Sequence, residues 1–125
     1  MKLLNDTIIA VATPYGYGGI SVLRISGNKV LFVIEKIIKR KLYSRVVDYC
    51  FFYDLNDCII DKGIVIYFKT PNSFTGEDIL ELHCHGSVVV TNILLKIILS
   101  LNVRLAEPGE FTFRAFFKNK IDLVQ

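Results

Sequence analysis

Apolar residues recur at two different periods along this chain, and the order in which the periods alternate leaves few folds open. Six β-rich or alternating runs read as strands: residues 7–13, Ile20–Ser26, 46–53, Ile59–Phe68, Ile79–His85 and 103–106. In the second run, alternation puts Ile20, Val22, Arg24 and Ser26 on one face and Ser21, Leu23 and Ile25 on the other. In the fifth, Leu80, Leu82 and Cys84 face one way, and Ile79, Glu81, His83 and His85 the other. Helical spacing takes over at Val30, Ile34, Ile37 and Ile38, predicting a helix that starts at Ser26-Gly27-Asn28 and ends near Lys39. Its basic end at Lys36, Lys39, Arg40 and Lys41 suits a helix C-terminus.

A second helix is predicted over 88–101, with only Asn92, Lys96 and Ser100 as its polar stripe. A helix apolar over most of its circumference is usually covered on more than one side, here by a partner chain. A short third helix is predicted over 112–119, with Thr112 as its cap. Residues 122–125 read as the beginning of a further helix. Asp54-Leu55-Asn56-Asp57 is a turn between strands, and Asp61-Lys62-Gly63 a bulge or break. The resulting order, β-β-α-β-β-β-α-β-α, predicts an α+β fold with a mixed sheet and about three helices.

At 125 residues the chain is one domain's worth. Hydrophobic residues at 52% against 22% charged exclude intrinsic disorder. A net charge of +3 offers little counterion release, so strong direct binding of nucleic acid is not expected. Cys50, Cys58 and Cys84 form no paired motif, which favours a reducing, cytoplasmic setting. Asn5 and Asp6 interrupt any export signal, and the apolar stretch at 87–101 falls short of the roughly 20 residues of a membrane span.

Several clusters could carry chemistry. Gly16, Gly18 and Gly19 follow a strand, but another strand comes next, not a helix N-terminus, and no GxxxxGK[ST] string occurs anywhere. The cluster reads either as a strand-connecting loop or as a loop that a ligand approaches closely. Glu81, His83 and His85 share a strand face at metal-ligand spacing, or are simply strand-end side chains, some solvated. Asn72-Ser73-Phe74-Thr75-Gly76-Glu77-Asp78 is either a surface loop or part of a site. Arg114, Lys118 and Lys120 after Pro108-Gly109-Glu110-Phe111-Thr112 read equally as a solvated basic helix end. No nucleophile–base arrangement is legible, and no catalytic residue is assigned.

Taken as strings, these segments say more. Asn5-Asp6-Thr7-Ile8-Ile9-Ala10, Ala12-Thr13-Pro14, Gly18-Gly19-Ile20 and Leu23-Arg24-Ile25-Ser26-Gly27 come first. Pro71 to Asp78 (PNSFTGED), Glu81-Leu82 and His85-Gly86 follow. Pro108 to Thr112 (PGEFT), Arg114-Ala115-Phe116 and Asn119 to Leu123 (NKIDL) complete the series. The chain resembles, over essentially its whole length, the N-terminal domain of the tRNA-modification GTPase MnmE (TrmE) family. The resemblance implies a fold similar to the tetrahydrofolate-binding domain of glycine-cleavage T-proteins. It divides the chain into a folate-binding and dimerisation domain, 1–119, and the start of a truncated helical domain, 120–125. GTP hydrolysis, with its Mg²⁺ and K⁺, would belong to a G domain that this chain lacks, so the piece alone is not expected to be an enzyme.

The resemblance further implies a homodimer that binds 5-formyl-tetrahydrofolate or a related reduced folate. With an FAD-carrying partner, MnmG, the whole protein would install a carboxymethylaminomethyl-type group at C5 of the tRNA wobble uridine. Arg24, Glu81 and Lys120 match the family's folate-contacting positions. A carboxylate such as Glu81 suits the guanidine-like donor edge of a pterin. An arginine such as Arg24 can pair with an anionic tail or stack on a flat ring. The chain departs from the family's Gly-Arg-Gly-Gly at Tyr17, and from its Gln-Gly-His-Gly-Gly at His83, Cys84 and Ser87. Cys84 and Ser87, in place of glycines beside Glu81, are expected to narrow the pocket. Two alternatives stand beside this reading: a dimerisation module whose pocket is lost through Tyr17, Cys84 and Ser87, and, on the shared strand face alone, a metal-binding domain using Glu81, His83 and His85.

Overall fold

The computed structural model describes residues 5–12, 20–85 and 88–124, with side chains as far as residue 119. The alternating runs become β1 (Ile8–Val11), β2 (Ile20–Ser26), β3 (Val47–Tyr53), β4 (Ile59–Phe68), β5 (Ile79–His85) and the two-residue β6 (Arg104–Leu105). They pair in the order β3-β4-β5-β2-β1-β6. Every pairing is antiparallel except β1 with β6. With three helices, α1 (Val30–Val33), α2 (Val88–Leu99) and α3 (Glu110–Val124), the fold is α+β around a mixed sheet, as expected.

One face of the sheet carries the core. Leu23 and Ile25 of β2, Leu80, Leu82 and Cys84 of β5, and Cys50 and Phe52 of β3 pack against Val30, Val33, Leu94 and Ile98 of the helices. Burying side chains of this size contributes about 1.5–3 kcal/mol each. The strands reach this packing through tight contacts: a Cβ at Gly63 of β4 would lie 2.1 Å from the His83 carbonyl oxygen and 3.1 Å from the Phe52 ring. Glycine is required there to let β4 and β5 close over Phe52.

The first helix differs from its prediction in two ways. It begins at Val30, because Gly27 takes φ +139 and turns the chain out of β2. Its N-terminus is capped from a distance: the Lys29 N–H donates to Thr7 Oγ1 of the segment before β1, at 2.9 Å. After Val33 it widens into a π-helical turn (Ile34–Ile38), which keeps Ile34, Ile37 and Ile38 all buried. Lys39 ends it in the left-handed conformation.

Three other expectations are corrected. The irregularity in β4 falls at Ile60, one residue before the predicted bulge, where the register with β3 shifts. Thr112 caps nothing, because α3 already starts at Glu110, whose N–H donates to the Glu107 carbonyl. Nor does a separate helix begin at 122; α3 runs unbroken to Val124. No helix among the described residues is long and apolar enough to cross a membrane.

Candidate functional site

The second sheet face positions the polar groups. Cross-strand register arranges it in rows: Ile8, Ser26, Ile79 and Phe68; then Ala10, Arg24, Glu81 and Ile66; then Val22, His83, Ile64 and Tyr49. The first row is closed over, with Ile8, Ser26 and Ile79 buried. The second is half open, and beyond it Ile20, Ile64, Tyr49 and Phe51 are exposed.

Arg24 and Glu81 are direct cross-strand partners. Arg24 donates from Nε to Glu81 Oε2 at 3.0 Å, and its Nη2 stands 3.0 Å from the same oxygen. The side chains are 34% and 17% exposed, so both can meet a ligand. The other carboxylate oxygen, Oε1, lies 3.1 Å from His83 Nε2. Arg24 and Glu81 line a cavity of about 220 Å³ whose walls are Phe68, Phe74 and Ile79. Arg24 also borders a larger cavity of about 580 Å³ between Ala10–Ala12 and the Glu107–Thr112 turn. One arginine thus joins two hollows. A carboxylate flanked by aromatic walls can accept N–H donors from the edge of a flat ring lying between them.

The wall is held by side chains that looked solvated in the sequence. Phe74 belongs to the 72–78 loop, which is tied down at several points. Thr75 is buried, with its Oγ1 2.7 Å from Ser26 Oγ. Ser26 Oγ donates to Glu77 Oε1 at 2.7 Å. The Asp78 carboxylate accepts from the Thr70 N–H at 2.9 Å, and Ser73 Oγ donates to the Glu77 carbonyl. Arg114 of α3 completes the anchor with bonds of 2.9 and 3.1 Å to the Glu77 carboxylate and 3.3 Å to Glu110. Glu110 in turn takes a two-bonded fork from Arg104, at 2.8 and 2.6 Å, and Arg104 also donates to Asp6 at 3.0 Å. The Arg104 fork holds the Glu110 carboxyl down to about 2, while burial opposes this and the Glu107 N–H and Arg114 reinforce it. The Arg104 guanidinium is correspondingly raised, chiefly by its bonds to Glu110.

Of the predicted site residues, the structure brings Arg24 and Glu81 together. The Lys120 side chain, like Tyr17 and Ser87, lies outside the described residues. Cys84 is corrected: it is 1% exposed on the opposite face, among the core residues, so it cannot narrow the Arg24–Glu81 cavity directly. Burial there pushes its thiol up to about 12. The metal alternative is corrected too. His85 does not join Glu81 and His83; its Nδ1 lies 3.5 Å from the Lys62 carbonyl oxygen. Among the described residues, no three of His, Cys, Asp and Glu converge to hold a metal ion. Sequence reasoning missed Ser26, Glu77 and Arg114 as the site's supports. The signal was there in the polar PNSFTGED and RAF strings, but not which residues meet.

Comparison with known proteins gives a consistent picture. The sequence model of the family described as "GTP-binding protein TrmE N-terminus" matches residues 7–120. A protein named tRNA modification GTPase MnmE from Francisella philomiragia is 50% identical over 121 residues, 97% of this chain and 27% of that protein. Proteins of the same name from Fervidobacterium nodosum and Aliarcobacter butzleri are 50% and 49% identical, covering 99% and 97% of this chain. The chain therefore spans little more than a quarter of the length of these relatives, 28% and 27% for the latter two.

Proposed function

Since the chain belongs to the TrmE N-terminal family, we propose that it is the reduced-folate-binding and dimerisation unit of a tRNA-modification GTPase. The observation that carries the ligand is the Arg24–Glu81 pair at the edge of an aromatic-walled cavity. A reduced pterin presents adjacent N–H donors along one edge and flat faces above and below. Glu81 supplies the acceptor for that edge, and Phe68 and Phe74 supply apolar walls. Arg24 also faces the second hollow, where it suits the anionic glutamate tail. Lys120, following the resemblance, is the third contact. The bound folate would supply the one-carbon unit; the chain's own residues bind and orient it.

The same reading assigns GTP, Mg²⁺ and K⁺ to other segments of the longer relatives' architecture, because this chain has no phosphate-loop string. It assigns modification of the tRNA wobble uridine to the whole protein acting with the FAD-carrying MnmG. It takes 1–119 as the ligand-binding and dimerisation domain and 120–125 as the start of the next, in a cytoplasmic protein. Homodimerisation is supported by Val88, Val89 and Ile93, exposed apolar side chains on α2.

Calorimetric titration with 5-formyl-tetrahydrofolate tests the ligand. We expect saturable binding by the wild type and at least a tenfold loss in Glu81→Ala, since the ligand's donors then face no carboxylate, a deficit of about 1.5–3 kcal/mol. A folded wild type that gives no binding heat and no displacement of a fluorescent folate would refute the reading. The dimerisation-only alternative would then take its place.

A further inference from the structure

Glu81 is held from two sides. Arg24 occupies Oε2, and His83 Nε2 lies 3.1 Å from Oε1. The histidine reaches the carboxylate because the two residues stand two apart on β5 and share a face. Its side chain is 28% exposed, so it can exchange a proton with solvent. We infer that His83 is a positioning residue that sets, through its own protonation, how strongly Glu81 accepts the N–H edge of a ligand. The inference rests on the reading that a donor-edged heterocycle binds at Glu81.

The direction follows from the donor inventory. As imidazolium, His83 donates from both ring nitrogens, and its Nε2–H bond to Oε1 is charge-assisted, roughly twice as strong as a neutral one. A ligand offering two parallel N–H groups must then compete for Oε1 with a fixed cation. As neutral imidazole, His83 can carry its proton on Nδ1. The Nε2 lone pair and Oε1 then repel, the ring turns aside, and Oε1 is free. Ligand therefore favours neutral His83, and binding expels its proton.

The surroundings of His83 leave few competitors for this role. On β5 its charged or titratable neighbours are Glu81 and His85. On β2 Val22 is directly opposite and Arg24 lies one row away. On β4 Ile64 is opposite, and Lys62, farther along, stands 4.7 Å from the Tyr49 and Phe51 rings of β3. Of these groups, His85 is the one other imidazole, and it is therefore the control.

Titration with 5-formyl-tetrahydrofolate at about pH 5.5, 6.5 and 8 tests the inference, beside His83→Gln and His85→Gln. The formylated N5 of this probe is not basic, and its carboxylates stay ionised across the range. We expect affinity to rise about tenfold from the lowest to the highest pH in the wild type and in His85→Gln, with proton release on binding. His83→Gln keeps an N–H donor but cannot titrate, and its affinity is expected to change less than about twofold. In the unmutated protein, the His83 imidazole resonances should titrate at lower pH with ligand bound. A flat wild-type profile, a slope that persists in His83→Gln, or an imidazole titration unmoved by ligand overturns the role of His83 and leaves the folate reading standing. Absence of binding at every pH overturns both.

Discussion

Arg114 is 3% exposed and lies between the carboxylates of Glu77 and Glu110. In the sequence it is one cation in a basic stretch; in the fold it is the pin that holds the 72–78 loop to α3. Removing one partner of a buried ion pair leaves the other charge uncompensated, at a cost of about 3–5 kcal/mol. Arg114→Ala is therefore expected to lower the unfolding free energy by about 3 kcal/mol in urea denaturation. Glu77 keeps some solvent contact, which places the effect at the low end. The variant should also weaken folate binding, because Phe74 rides on the loop that Arg114 anchors. Unchanged stability would show that Ser26 and Thr75 hold the loop without it.

Helix α2 buries Thr91, Leu94 and Ile98 against the sheet and turns Val88, Val89 and Ile93 outward, beside Asn92 and Lys96. Val89 is 63% exposed. In the proposed dimer, a second copy of the chain covers this apolar outer face. In the double variant Val89→Asp, Ile93→Asp, sedimentation equilibrium should report a monomer, while the wild type sediments as a dimer. Thermal stability of the isolated fold should change little, within about 0.5 kcal/mol per surface site. A wild type that remains monomeric at high concentration would remove the dimer from the proposal.

Across the whole molecule, one ionic chain links segments far apart in sequence: Asp6 to Arg104, Arg104 to Glu110, Glu110 to Arg114, and Arg114 to Glu77. It fastens β6, α3 and the 72–78 loop to one another. Glu110, at its centre, is held at about 2, against an ordinary 4.5. A depressed carboxyl contributes stability above its unfolded value and loses it as pH falls toward the folded one. Stability should therefore decline between about pH 4.5 and pH 2 in the wild type. Glu110→Gln should be less stable at neutral pH, with a flatter acid limb in denaturation curves. An acid limb identical in the two proteins would mean that Glu110 does not carry this dependence.

The sequence by itself determined the local layer of this protein. The strand limits of β2, β4 and β5, and the faces to which Arg24 and Glu81 point, follow from alternation at period two, because a pleated strand leaves a side chain only two sides to occupy. The family strings name Arg24 and Glu81 together, and the pairing of β2 with β5 sets them side by side. Tertiary structure alone decided who meets whom. Thr7 caps α1 from 22 residues away, and Arg114 reaches Glu77 across 37. Such partners carry no periodic signal, since they are brought together by sheet order and not by spacing. The π-helical turn at Ile34–Ile38 also depends on the core, in which Ile34, Ile37 and Ile38 are all buried. Cys84 is the converse case: three residues from Glu81, it was already put on the other face of β5 by period-two alternation, and the sheet lies between it and the Arg24–Glu81 cavity.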